Sequence, residues 1–181
     1  VLAWSPYPLG FNAMGIGLTF FGWGLGLALT SVIAAPALTA RFKRTTVIAH
    51  GLVSLLVVLV LAALLVDFAP ALVVLIIAAG LILGVMNTVL TESSMAATDL
   101  PRPVASSAYS GIRFLGGAVA PPVASAAGAA LGASAPYLYG AGALAVALVV
   151  FFVLHRRLTV VDGAHQDSAL EEAEALIGNA D

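Results

Sequence analysis

Seven lysines and arginines serve a chain of 181 residues, and they are not scattered. Arg41, Lys43 and Arg44 form one cluster, Arg102 stands apart, and Arg156 and Arg157 form another. Arg113 alone sits inside an apolar run. Residues 1–40, 45–66, 68–91, 103–112 and 114–155 contain no Asp, Glu, Lys or Arg. A water-soluble domain needs charge over its whole surface, roughly a quarter of its residues; here the share is 9%. Apolar runs of about 20 residues match a bilayer core, because a helix rises ~1.5 Å per residue across ~30 Å of hydrocarbon. The pattern specifies an integral membrane protein, all-α, since only helices and closed barrels satisfy their backbone in lipid.

Five spans are expected, at about 13–38, 46–66, 70–94, 104–131 and 136–155. The connections carry turn residues: Phe68-Ala69-Pro70, Asp99-Leu100-Pro101 and Gly132 to Pro136. Pro70 and Pro136 start helices, where a missing N–H costs nothing. Residues 1–12 read as an outer loop, 13–157 as the transmembrane domain and 158–181 as an acidic tail. Within the tail, Ser168 and Glu171 have capping-box spacing for a short helix. Alternating spans put six of the seven basic residues on one side, which the positive-inside rule makes cytoplasmic. The expected placement is a plasma or inner membrane, multi-pass, with the C-terminus in the cytoplasm. Trp4, Tyr7, Tyr137 and Tyr139 then fall at the outer interface as an aromatic belt, while Trp23 falls mid-span.

The composition also excludes. Net charge is −2 and no basic patch suits nucleic acid. No cysteine is present, so disulfides and thiolate metal sites are ruled out. His50, His155 and His165 are far apart, and no phosphate-binding loop or hydrolytic motif occurs. Neither enzyme activity, metal nor cofactor is expected. The partners expected are the lipid bilayer and a small molecule.

Three helices carry polar or glycine stripes. Asn12, Gly15, Thr19, Gly22 and Gly26 share one face of the first span, with Gly22 and Gly26 in the spacing that lets helices approach closely. Close packing and a narrow polar path are both open readings. Gly80, Gly84, Asn87 and Thr91 share a face of the third span, with Thr88 and Glu92 beside it. Ser106, Tyr109, Arg113 and Gly117 share a face of the fourth. An arginine this deep, ~15 Å from the helix end, costs at least ~2.5 kcal/mol unless paired or hydrated. It is either an anion-binding, coupling or gating charge, or a structural charge that snorkels or pairs. Glu92 is its candidate partner, or else an interfacial carboxylate. Pro121 and Pro122 interrupt the same helix.

The run Asn87-Thr88-Val89-Leu90-Thr91-Glu92, Met95, the run from Arg102 through Ser106 to Tyr109, and Arg113-Phe114-Leu115-Gly116-Gly117-Ala118 resemble the tenth and eleventh helices of major facilitator superfamily transporters. Among these the resemblance is to bacterial drug:proton antiporters. Arg41, Lys43 and Arg44 stand where that superfamily carries a cytoplasmic basic loop, although its Gly and Asp are replaced, with Pro36, Thr39 and Ala40 nearby. The resemblance covers about residues 10–157 and implies helices eight to twelve of the fold. It implies proton-driven export of amphiphilic drugs or organic compounds. Asn87, Thr91, Tyr109 and Arg113 would line the translocation path, and Glu92 with Arg113 would be an ion pair or coupling pair. It also implies that an N-terminal half, or a partner chain, completes the transporter. Two other readings remain: uptake of a small anionic metabolite clamped by Arg113, and a truncated membrane remnant that transports nothing.

Overall fold

The computed structural model describes residues 2–98 and 101–154. The tail at 158–181, with Ser168 and Glu171, lies outside the described residues, as do Asp99, Leu100, His155, Arg156 and Arg157. A one-turn helix, α1 (Pro6–Leu9), interrupts the expected loop at 1–12. Five long apolar helices follow: α2 (Ala13–Thr39), α3 (Arg44–Leu64), α4 (Ala69–Ala96), α5 (Arg102–Leu131) and α6 (Ala135–Leu154). No strand occurs among the described residues. The all-α architecture and the five spans are therefore as expected, with ends within a few residues of the sequence reading.

Local chemistry explains the boundaries. The Asn12 side chain accepts from the Gly15 N–H at 2.9 Å, so Asn12 caps α2 rather than lining its face. Pro70 and Pro103 lie in first turns, as the N–H argument requires. α4 runs past residue 94 to Ala96, carrying Glu92 within the helix. Gly132, at φ 97, ends α5 in a conformation that suits glycine. Inside α2, residues Thr30–Ala34 widen into a π-turn, in which the Ala35 N–H reaches back to the Thr30 carbonyl. The sequence reading missed it. Pro36 is the physical cause: it lacks an N–H and its ring crowds the Val32 carbonyl, which a wider turn relieves.

α4 is the centre of the bundle, packed against α2 along one side and α3 along another. Leu72 and Val89 on α4 are fully buried. One core cluster joins Leu9, Ala62, Ala63, Leu72, Ile76 and Tyr137 at the end where α3 stops and α4 begins. A second joins Ala35, Val47, Leu55, Met86, Val89 and Phe151 toward the opposite end. α6 supplies a residue to each, Tyr137 and Phe151, and so runs the length of the bundle. α5 is different: Ala105, Ala124 and Gly128 are its buried residues, and Ile112, Phe114, Leu115 and Val119 stand exposed.

Tyr137 corrects the aromatic-belt expectation. It is 1% exposed, in the core, with its hydroxyl 3.2 Å from Ser5 Oγ. Trp4 stacks near Tyr7 and donates from Nε1 to the Ala133 carbonyl at 3.1 Å. A Cβ on Gly128 would run into the Trp4 ring. The segment before α2 thus plugs the end where α5 turns into α6. Tyr7 and Tyr139 remain exposed.

Candidate functional site

The glycine stripe of α2 meets the glycine stripe of α4. A Cβ on Gly22 would lie 3.1 Å from Ile77, and one on Gly26 would lie 3.1 Å from Leu81. Across the seam, a Cβ on Gly80 would strike the Trp23 carbonyl, and one on Gly84 the Leu27 carbonyl and Thr30 hydroxyl. These glycines are therefore packing devices, the first of the two readings open from sequence. The seam continues along α4 through Thr88 rather than Asn87. Ser31 Oγ and Thr88 Oγ1 are 2.7 Å apart, and Thr30 Oγ1 donates toward the Leu81 carbonyl at 2.8 Å. The π-turn brings Thr30 and Ser31 to this seam. Hydroxyls that cross between helices in lipid satisfy groups that would otherwise face hydrocarbon.

The polar residues named for the path divide. Asn87 and Thr91 lie half-buried on α4, and the Thr91 hydroxyl donates to the Asn87 backbone carbonyl at 2.7 Å. Tyr109 is half-buried and Arg113 is exposed on α5. No hydrogen bond joins Asn87, Tyr109 and Arg113 among the described residues. The pairing of Glu92 with Arg113 is not formed. Glu92 Oε2 instead accepts from Arg44 Nη2 at 3.2 Å, linking α4 to the first turn of α3. Arg44 lies within reach because α3 starts beside the end of α4, and it is mostly sequestered (13% exposed) against Glu92's 46%. Arg41 and Lys43 stay exposed on the turn between α2 and α3, and neither has an ion-pair partner among the described residues.

Arg113 occupies a distinctive place. Ala105, Tyr109, Arg113 and Gly117 follow four-residue steps along α5, and burial fades from buried through half-buried to exposed in that order. Added Cβ atoms at Gly111, Gly116 and Gly117 would meet nothing within 4 Å. The helix is buried again at Ala124 and Gly128. Its middle turns are therefore uncovered. Pro121 and Pro122 lie within α5 and lack N–H groups, which leaves the Gly117 and Ala118 carbonyls without their helical donors. Arg113, with five donors, thus sits one turn before Gly117 on the same uncovered stretch of helix as two carbonyls that need partners. Such an uncovered polar stretch in lipid requires water or further protein against it.

A second feature escaped the sequence reading. A groove of about 450 Å³ lies between the end of α2, the first half of α3 and the middle of α4. Leu38, Phe42, Leu81 and Met86 contribute apolar walls, and Thr46, His50 and Ser54 a polar strip. His50 Nδ1 donates to the Thr46 carbonyl at 2.8 Å, which leaves Nε2 for a ligand or water. The 4-4 spacing of Thr46, His50 and Ser54 on an apolar helix was the available signal.

Comparison with known proteins gives the chain a curated relative. The chain is 34% identical over 165 residues to the multidrug efflux protein YfmO of Bacillus subtilis (strain 168). That alignment covers 91% of this chain and 42% of the relative, so the chain spans less than half the length of the curated relative it matches. No protein-family profile matches the chain. No solved structure matches it. Among the described residues, no group of His, Cys, Asp and Glu could hold a metal ion. Five membrane-length apolar helices together with likeness to a multidrug efflux protein along nearly the whole chain make this a multi-pass membrane protein that fits a membrane transporter.

Proposed function

We propose that this chain is the C-terminal part of a proton-coupled major facilitator transporter that exports amphiphilic drugs or similar organic compounds. The observation that carries the reading is the uncovered middle of α5. An arginine, a tyrosine and two carbonyls without helical donors line a surface that no other described residue covers. The relative's greater length supplies a reason: the remaining portion of such a protein would lie against this face. The central path would run between the two portions, with Tyr109 and Arg113 on one wall and Asn87 and Thr91 nearby. No bond in the transported compound is broken, so no catalytic group is required. The basic turn and the start of α5 would face the cytoplasm, in a plasma membrane, and the plug of Trp4 and Tyr137 the outside.

The test is transport by the full-length protein in inverted membrane vesicles. Arg113→Ala should abolish proton-driven accumulation of a lipophilic cation such as ethidium, at unchanged protein level. Full activity in Arg113→Ala and Tyr109→Phe together would end the path assignment. Among the described residues Arg113 has no carboxylate partner, which also favours a second reading, an anionic substrate held bidentately. Arg113→Lys separates the two. It abolishes transport if the guanidinium clamps an anion through two parallel bonds, and retains much of it if only positive charge is needed.

A further inference from the structure

The groove beside the basic turn is unused by the reading above. It lies between α2, α3 and α4, whereas the proposed path follows the uncovered turns of α5. Its walls are mainly apolar, and its volume of about 450 Å³ is that of a small-molecule site, which typically spans ~300–1,000 Å³. Phe42 forms part of the wall at one end. Its immediate neighbours Arg41 and Lys43 are both exposed, and no ion pair engages either among the described residues. The nearby carboxylate, Glu92, is already neutralised by Arg44. The turn that carries Phe42 therefore presents two positive charges that are unpaired among the described residues, and the groove presents hydrocarbon with a strip of hydroxyls and an imidazole.

We propose that this groove holds one acyl chain of an anionic phospholipid, with the phosphate at Arg41 and Lys43. The charge complements the site: a zwitterionic lipid or an amphiphilic cation would leave the two cations uncompensated or repelled. The dimensions also agree. His50 lies seven residues beyond Lys43 along α3, about 10 Å deeper. Thr46 and His50 thus fall at the level of the glycerol esters, where the Thr46 hydroxyl can donate to an ester carbonyl. Below them Gly51 is packed against Met86, and the acyl chain would lie along the wall formed by Ser54, Leu81 and Val85. Polybasic turns at a membrane surface attract anionic lipid by this electrostatic term, which screens with salt. The consequence is a lipid wedged between the helix ends that flank the Arg44–Glu92 pair.

The experiment places the full-length protein in phosphatidylcholine nanodiscs doped with phosphatidylglycerol carrying a diazirine on its acyl chain. After irradiation, labelled peptides are mapped by mass spectrometry. Labelling should concentrate on residues 38–54 and 81–86. It should fall about fivefold in Arg41→Gln or Lys43→Gln and roughly thirtyfold in the double variant. Ser54→Phe, a substitution at an exposed wall position, should displace the label by filling the groove. Arg102→Gln, another exposed cation, should leave labelling unchanged, and size-exclusion profiles show that each variant is folded. Equal labelling by diazirine phosphatidylcholine would reduce the groove to ordinary lipid contact and overturn the proposal. So would competition by ethidium alone, which would make it a drug site, and so would no labelling of the groove, which would mean that another protein segment covers it.

Discussion

α4 and α5 are nearly the same length, 28 and 30 residues, and both carry glycines and polar groups on faces meant for something other than lipid. Their surroundings differ completely. The glycines of α4 are pressed against the backbone of α2, and its buried apolar residues belong to both core clusters. Among the described residues nothing stands against the central glycines of α5, and its arginine is exposed. Small residues in a membrane helix therefore serve two purposes in one molecule. On α4 they bring backbones together; on α5 they keep a surface low and leave a charge accessible. The difference lies in what stands opposite, which no property of the helix itself reveals.

The largest expected effect separates these two uses of glycine. In Gly84→Val the new Cβ and its methyls must push back the Leu27 carbonyl, which as backbone cannot swing away, and must turn the Thr30 hydroxyl off its hydrogen bonds to the Gly26 and Leu81 carbonyls. Overpacking of this kind costs about 1–3 kcal/mol, and separating the α2–α4 seam places the cost at the upper end. Gly117→Val on α5 meets no atom among the described residues and should change stability by less than about 0.5 kcal/mol. Thermal unfolding of the chain in detergent micelles, followed by tryptophan fluorescence, compares the two directly. Equal destabilisation would mean that the middle of α5 is packed after all.

The same contrast governs what was readable from the residues. Apolar runs of bilayer length, separated by basic turns on one side and by turns bearing Pro, Gly or Asp on the other, gave all five spans, because a bilayer imposes one length on every helix. The four-residue glycine steps made close packing one of two open readings, because backbone approach depends on missing side chains, and the seam between α2 and α4 decides for it. Pairing was harder. Glu92 and Arg113 are each on the expected helix, yet Arg44 reaches Glu92 first because α3 begins beside the end of α4. That adjacency depends on how helices pack, not on the spacing of residues along either one. The π-turn is absent from the sequence reading because Pro36, inside the span expected at 13–38, is noted there only as a neighbour of the basic loop, although a proline inside an apolar span is itself the signal for a disturbed turn. The position of Tyr137 near a span end points to the interface; its burial comes from a cluster with Leu9, Leu72 and Ile76, and its hydroxyl meets Ser5, 132 residues away.

An intermediate effect tests the pairing itself. Replacing Arg44 and Glu92 singly and together by Gln gives a double-mutant cycle. With Glu92 half-open to solvent, the coupling should be roughly 0.5–1 kcal/mol, and smaller in high salt. The parallel cycle between Glu92 and Arg113 should give additive effects, within ~0.3–0.5 kcal/mol. Coupling in the second cycle and none in the first would restore the expectation drawn from sequence and reverse the assignment made here.

The smallest effect concerns hydroxyls, and it returns to the contrast between helices. Ser31 and Thr88 bond across the α2–α4 seam, whereas Ser107 on α5 donates to the Pro103 carbonyl of its own helix at 2.7 Å. Hydroxyl pairs between membrane helices contribute about 0.6 kcal/mol on average, since the separated helices find other partners. The Ser31→Ala and Thr88→Val cycle should therefore show coupling near that value, while Ser107→Ala should be neutral. Thr88 has fallback acceptors at the Ser31 carbonyl, 3.3 Å away, and the Gly84 carbonyl at 3.4 Å. Ser31→Ala alone should thus cost less than Thr88→Val alone, because Thr88 can redirect its proton while Ser31 loses its long-range partner outright. The order of those two single effects reports which hydroxyl donates. If Ser31→Ala proved the costlier, Ser31 would be the donor, and the seam would be held from the π-turn of α2 rather than from α4.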